Sequence, residues 1–205
     1  MSALVPLLFC DVDGVVRPDP YIRHSAAGKP DPSVWNDWTL TSALHDGDII
    51  ASWYSPTVTA LLSNLHDTGA VDMRWLTSWG HHANTNLYSA IGMPKLDVVA
   101  TKPGDNPLPC FSCNPKHGIV NCSFHSPDSG RWWKWDAVKK IVAANPKRPI
   151  IWLDDDLAHG DDNSGRGAVA WAAKNANCLL VAPKRHLGLT SRHLRLIKDF
   201  VANNN

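Results

Sequence analysis

The sequence predicts an α/β domain built on a Rossmann-like parallel sheet with helices on both faces. Two observations predict it. Short, mostly apolar segments alternate along the chain with stretches in which apolar residues recur at helical spacing, as expected for strands covered on both faces. The polar motifs at Asp11, Thr77 and Asp154 also each follow an apolar segment, and ligands in open α/β sheets bind beyond the carboxyl ends of the strands.

Taken in order, Leu4–Cys10 reads as a buried strand feeding a loop at Asp-x-Asp-Gly. Residues 17–54 read as a flap: Arg17–Leu40 is rich in Pro, Asp and Ser with no period, and Asp48–Trp53 suits a short strand. Ser55 and Pro56 supply an N-cap and a first helical residue. Val58, Leu61, Leu62 and Leu65 then keep helical spacing up to a stop at Gly69. Asp72–Leu76 reads as a second buried strand. Helical spacing resumes through Ala83, Leu87, Ala90 and Ile91 to Gly92, and Leu96–Ala100 suits a third strand. After a Pro-, Gly-, Cys- and His-rich insert at about 101–131, the pattern predicts a helix over Trp133–Ala144 and a strand over Pro149–Leu153. A short helix near Gly167–Lys174, a strand over Cys178–Val181 and a helix capped by Thr190 complete it.

The 205 residues suit one domain with a core of its own. A formal net charge of +1 excludes a global pull towards nucleic acid or anionic membrane. The first apolar run is too short to span a bilayer and lacks the basic flank of a secretory signal. The expectation is a soluble, cytoplasmic protein with no membrane partner and no protein partner. The ten tryptophans, several beside the motifs (Trp75, Trp79, Trp132, Trp133, Trp135, Trp152), read as core packing.

Asp11 and Asp13 place two carboxylates at a strand end, where Gly14 lets the backbone turn. Like charges held close call for a cation or a shared proton, and magnesium takes one or two carboxylates plus substrate phosphate. The same residues could simply cap a turn. Asp154, Asp155 and Asp156 end a later apolar strand, with Asp161 and Asp162 just beyond. That much negative charge at a buried strand end is unfavourable without a cation. Thr77 and Ser78, at a strand end before a helix, suit phosphate oxygens. Lys134, at the positive end of a helix, makes sense beside an anion.

Together, Asp11/Asp13, Thr77, Lys134 and Asp154/Asp155 resemble, in order, the four motifs of the haloacid dehalogenase-like (HAD) superfamily. The similarity is closer still to a subgroup of uncharacterised bacterial and phage-encoded members. These carry a Ser-Pro helix start, Thr-x-Trp followed by Ala-Asn, and a late Gly-Leu-Thr, here Ser55-Pro56, Thr77-Ser78-Trp79, Ala83-Asn84 and Gly188-Leu189-Thr190. The resemblance spans nearly the whole chain and implies a minimally capped phosphatase acting on a phosphorylated small molecule or a nucleic-acid end. It makes Asp11 the nucleophile that forms an aspartyl-phosphate and Asp13 the acid and base. Thr77, Ser78 and Lys134 would be the phosphate contacts. Mg2+ would lie on Asp11, Asp13 (through its carbonyl), Asp154 and Asp155. Hydrolysis and transfer to another acceptor stay unseparated.

The insert holds Cys110, Cys113, His117, Cys122 and His125. Cys-x2-Cys followed by His and Cys resembles a zinc knuckle, with Cys110, Cys113, Cys122 and either His117 or His125 as ligands of a structural Zn2+. Lys102, Lys116, Arg131 and the Trp132/Trp133 pair would then offer phosphate contacts and stacking surfaces for single strands. A nucleic-acid-binding module with little or no hydrolase activity is the alternative.

Overall fold

The computed structural model describes residues 4–18, 30–45, 47–99, 132–158, 165–175 and 177–204. Five strands form a parallel sheet: β1 (Leu7–Cys10), β4 (Asp72–Trp75), β5 (Asp97–Val98), β6 (Ile150–Leu153) and β7 (Cys178–Val181). Their order is β5-β4-β1-β6-β7. The chain adds strands on one side of β1 and then on the other, which opens a crevice at the carboxyl end of β1, where ligands bind in sheets of this kind. Cys10 is in register with both Trp75 and Leu153. Asp11, Leu76 and Asp154 therefore leave the sheet side by side, and their amides still reach the neighbouring strands: Asp11 N–H donates to the Leu153 carbonyl at 3.0 Å, and Leu76 N–H to that of Cys10 at 2.9 Å.

Alternation along the strands divides the core in two. Leu8, Cys10, Met73, Trp75, Ile151 and Leu153 meet Val58, Leu62 and Leu65 of α1 (Pro56–Asp67) and Leu194, Ile197 and Val201 of α4 (Ser191–Asn204). Leu7, Phe9, Ile150 and Trp152 on the other face meet Trp132 and Trp133, Trp135 and Val138 of α2 (Trp133–Ala144), and Ala168 of α3 (Gly165–Ala172). The fold is thus the expected Rossmann-like α/β arrangement, a five-stranded parallel sheet flanked by helices. All six tryptophans flanking the motifs are buried. Trp132 and Trp135 lie nearly parallel to Trp152, at centroid distances of 5.1 and 6.3 Å. Among the described residues, no helix is long and apolar enough to cross a membrane.

Three expectations need correction. The flap is more regular than its composition suggests: Thr39–His45 forms β2, antiparallel to β3 (Asp48–Tyr54). The helix expected from Ala83 to Ile91 is a five-residue π-helical turn, Ala83–Leu87, with Tyr88 N–H donating to the Ala83 carbonyl at 2.9 Å. Asn84 lies in this turn. Its side chain accepts from Trp75 Nε1 at 3.1 Å and from the Leu96 amide at 3.0 Å, and so ties β4 to the start of β5. Finally, β4 is not buried throughout, but at alternate positions. Asp72 and Arg74 alternate with buried Met73 and Trp75 and pair with each other at 2.8 Å, with Arg148 joining Asp72.

Candidate active site

Asp11, the first residue beyond β1, is buried. Its Oδ1 accepts the Val12 amide at 2.7 Å, and its Oδ2 accepts Lys134 Nζ at 2.5 Å. Lys134 is the second residue of α2, and the same ammonium reaches Asp154 Oδ2 at 2.8 Å. Asp154 follows β6. Trp152 Nε1 donates to its Oδ2 at 3.3 Å, and its Oδ1 accepts the Asp156 amide at 3.0 Å, capping a 3-10 turn over Asp155–Ala158. Asp155 completes the cluster. Ligand atoms of Asp11, Asp154 and Asp155 all lie within 4.8 Å of one another.

Gly14 explains how Asp155 fits. The loop after Asp11 folds tightly, with the Val12 carbonyl accepting from the amides of Val15, Val16 and Arg17. Gly14 takes φ +72°, and a Cβ there would fall 2.6 and 2.7 Å from the two Asp155 oxygens. Only glycine allows both the left-handed backbone and this approach.

Among the described residues the charges do not balance: one ammonium stands among three buried carboxylates, with Arg185 at 3.8 Å from Asp155 at the rim. Burial alone would lower the Lys134 ammonium, yet Asp11, Asp154 and Asp156 hold it above its usual range. Burial, then Asp156 and Asp11, push the Asp155 carboxyl up to about 7. Asp154 is also raised, first by burial; Lys134 opposes the shift and Asp11 and Asp156 add to it. Among the described residues, Asp155 Oδ2 is buried without a hydrogen-bond partner. Surplus negative charge, an unsatisfied carboxylate oxygen and an all-oxygen donor set suit a hard divalent cation such as Mg2+.

Asp13 is held separately. Arg17 Nη1 donates to Oδ1, and Trp79 Nε1 donates to Oδ2 at 3.1 Å. Its carboxyl is raised, chiefly by burial, against the opposing pull of Arg17. Thr77 is fully buried, and its Oγ1 accepts the Trp79 amide at 3.2 Å. Exposed Ser78, rather than Thr77, lines the pocket. That pocket, of about 100 Å3, is also bounded by Asp11, Asp13, Trp132, Trp133, Lys134, Asp155, Asp156 and Arg185. Cys10 is no rival nucleophile, because burial, then Asp11 and Asp154, push its thiol well up.

No family model, curated protein or solved structure matches the chain.

Asp11, Asp13, Ser78, Lys134 and Asp155 therefore meet in one pocket, with Asp154 beneath it and Thr77 shaping the turn beside it. Asp161 and Asp162 lie outside the described residues, as do Cys110, Cys113, His117, Cys122, His125, Lys102, Lys116 and Arg131. Trp132 and Trp133 are 1% and 4% exposed, so they wall the pocket but present no open face on which a base could stack. Sequence reasoning missed Arg17, Trp79 and Arg185 as site residues. Arg17 could have been found, lying four residues after Asp13 with the turn-forming Gly14 between them. Arg185 carried a weaker signal, the basic pair after β7.

Proposed function

We propose that the protein is a magnesium-dependent phosphohydrolase of the HAD type. It would act on a phosphate monoester, with nucleotides and nucleic-acid ends among the candidate substrates. The observation that carries this reading is the convergence of Asp11, Lys134 and Asp154 through one ammonium, at 2.5 and 2.8 Å, beside Asp155, whose buried Oδ2 has no hydrogen-bond partner among the described residues.

Asp11, Asp154 and Asp155 would hold Mg2+. A bound ion there would supply positive charge to offset that of the phosphoryl oxygens and of the attacking carboxylate. A carboxylate oxygen of Asp11 attacks phosphorus, and the bond to the ester oxygen breaks. Asp13 gives its proton to that oxygen, so the alcohol leaves neutral and the phosphoryl group stays on Asp11. Water then attacks phosphorus while Asp13 takes a proton from it. Phosphate departs, and both carboxyl groups return to their starting states. Lys134 stabilises the charge that builds on the phosphoryl oxygens, with Ser78 as a neutral donor at the mouth. The binding-module alternative gains no support from Trp132 and Trp133, whose faces are packed away.

The test is phosphate release from p-nitrophenyl phosphate by wild type and Asp11→Asn, with Mg2+ and with chelator. The reading requires turnover by wild type with Mg2+ alone, and its loss in Asp11→Asn. Equal rates in the two proteins would overturn it.

A further inference from the structure

The hydrolase reading assigns no role to Trp79, yet the fold spends much on placing it. The indole is 2% exposed at the turn after β4, where Thr77 accepts its amide and the Thr77 carbonyl accepts the next one, Gly80, at 3.1 Å. The β2–β3 hairpin closes over it. His45 at the end of β2 lies 4.5 Å from the Trp79 ring, centroid to centroid, and Ala43 is buried in the same cluster. The one polar atom of the indole donates to Asp13 Oδ2 at 3.1 Å.

Both carboxylate oxygens of Asp13 are thus gripped, and both grips are donors only. An indole N–H cannot accept a proton, and a guanidinium has no acceptor site. A proton on Asp13 therefore has no acceptor in either partner and is directed to the pocket that Asp13 lines. Arg17 supplies charge on one oxygen, while Trp79 supplies orientation on the other without adding charge.

We infer that Trp79 is a positioning residue that aims the Asp13 carboxyl at the leaving-group oxygen, with the β2–β3 hairpin holding the indole in place through His45. The inference rests on the phosphohydrolase reading. It has a consequence that a merely structural role lacks. An alkoxide leaving group needs Asp13's proton, whereas a dinitrophenolate leaves without one. General acid catalysis typically contributes about 10^2–10^4-fold, and part of that should vanish when the carboxyl is misaimed.

The experiment follows leaving-group release in the first turnover, which involves Asp13 only as an acid, from a dinitrophenyl phosphate and an alkyl phosphate with wild type, Trp79→Phe and His45→Ala, all with Mg2+. Trp79→Phe keeps a ring in the cluster but removes the donor. It is expected to lose about tenfold to a hundredfold in the first-turnover release of alcohol from the alkyl ester, a fraction of the general-acid contribution, with a far smaller loss in the first-turnover release of dinitrophenolate. His45→Ala should show the same selective loss, smaller in size. Equal losses on both esters, or no loss on the alkyl ester, would overturn the inference. If Trp79→Phe does not fold, His45→Ala decides by the same criterion. A wild type inactive on both esters would instead defeat the hydrolase reading itself, and the inference with it.

Discussion

Replacing Lys134 with Met tests the electrostatic account of the site. The substitution keeps the stem of the side chain and removes the ammonium that lies 2.5 Å from Asp11 and 2.8 Å from Asp154. The ammonium and both carboxylates are at least nine-tenths buried. Removing one partner of a buried ion pair costs about 3–5 kcal/mol, because the charge left behind is neither solvated nor matched. For a chain of this length each kcal/mol moves Tm by about 2–4 °C, so the variant in chelator should melt about 6–20 °C below wild type at neutral pH. Mg2+ should recover much of that loss, since a ligand at a hundredfold its Kd contributes about 2.7 kcal/mol to the folded state. The deficit should also shrink at low pH, where protonation removes the repulsion. Thermal melts followed by tryptophan fluorescence, with chelator and with Mg2+, measure all three effects. If the variant melts with wild type in chelator, or Mg2+ stabilises it no more than it stabilises wild type, the cation-deficient picture of the cluster is wrong.

Two further outcomes follow from the same geometry. Gly14→Ala should weaken Mg2+ binding measured by calorimetry and lower Tm, because φ +72° costs a residue with a Cβ about 1–2 kcal/mol before the contact with Asp155 is counted. Unchanged binding would mean that Asp155 is not held as described. The pH dependence has a defined sign. The Asp155 carboxyl sits at about 7 in the folded, metal-free protein, above its ordinary 3.8, chiefly through burial. Its contribution to stability is therefore complete below about pH 4 and is lost as pH rises through about 7. The gap in Tm between Mg2+-loaded and metal-free protein should accordingly widen from pH 5.5 to 7.5, and a constant gap would contradict the assignment.

Much of this arrangement was legible in the residues. Ser55 caps α1 as its type and position imply, accepting the Val58 amide at 3.4 Å, and α2 spans the predicted Trp133–Ala144. Asp11, Lys134 and Asp154 could be placed because each sits beside an element with a strong apolar period, and a parallel sheet then dictates which ends meet. The hairpin was not legible in the same way. β2 exposes Leu40 and Leu44 to solvent and buries Ala43, so its pattern runs opposite to the polar-out rule. The sequence Asp46-Gly47 suits a hairpin turn, but it points to one only where an alternating strand precedes it, and Thr39–His45 shows no such pattern. The grip of Trp79 on Asp13 joins residues 66 positions apart through one indole nitrogen, and no local pattern encodes such a contact. Ala83-Asn84 stood out only through the resemblance, and nothing local in the sequence gives the bonds of Asn84 to Trp75 and Leu96.

The most direct measurement is of the covalent step. Wild type and Asp11→Asn are mixed with a dinitrophenyl phosphate and Mg2+, quenched in acid within the first turnovers, and digested for peptide mass mapping. The account predicts a phosphoryl group on the peptide that contains Asp11, in wild type only. A phosphoryl group on another residue, or hydrolysis with no labelled peptide under conditions that preserve acyl phosphates, would contradict it.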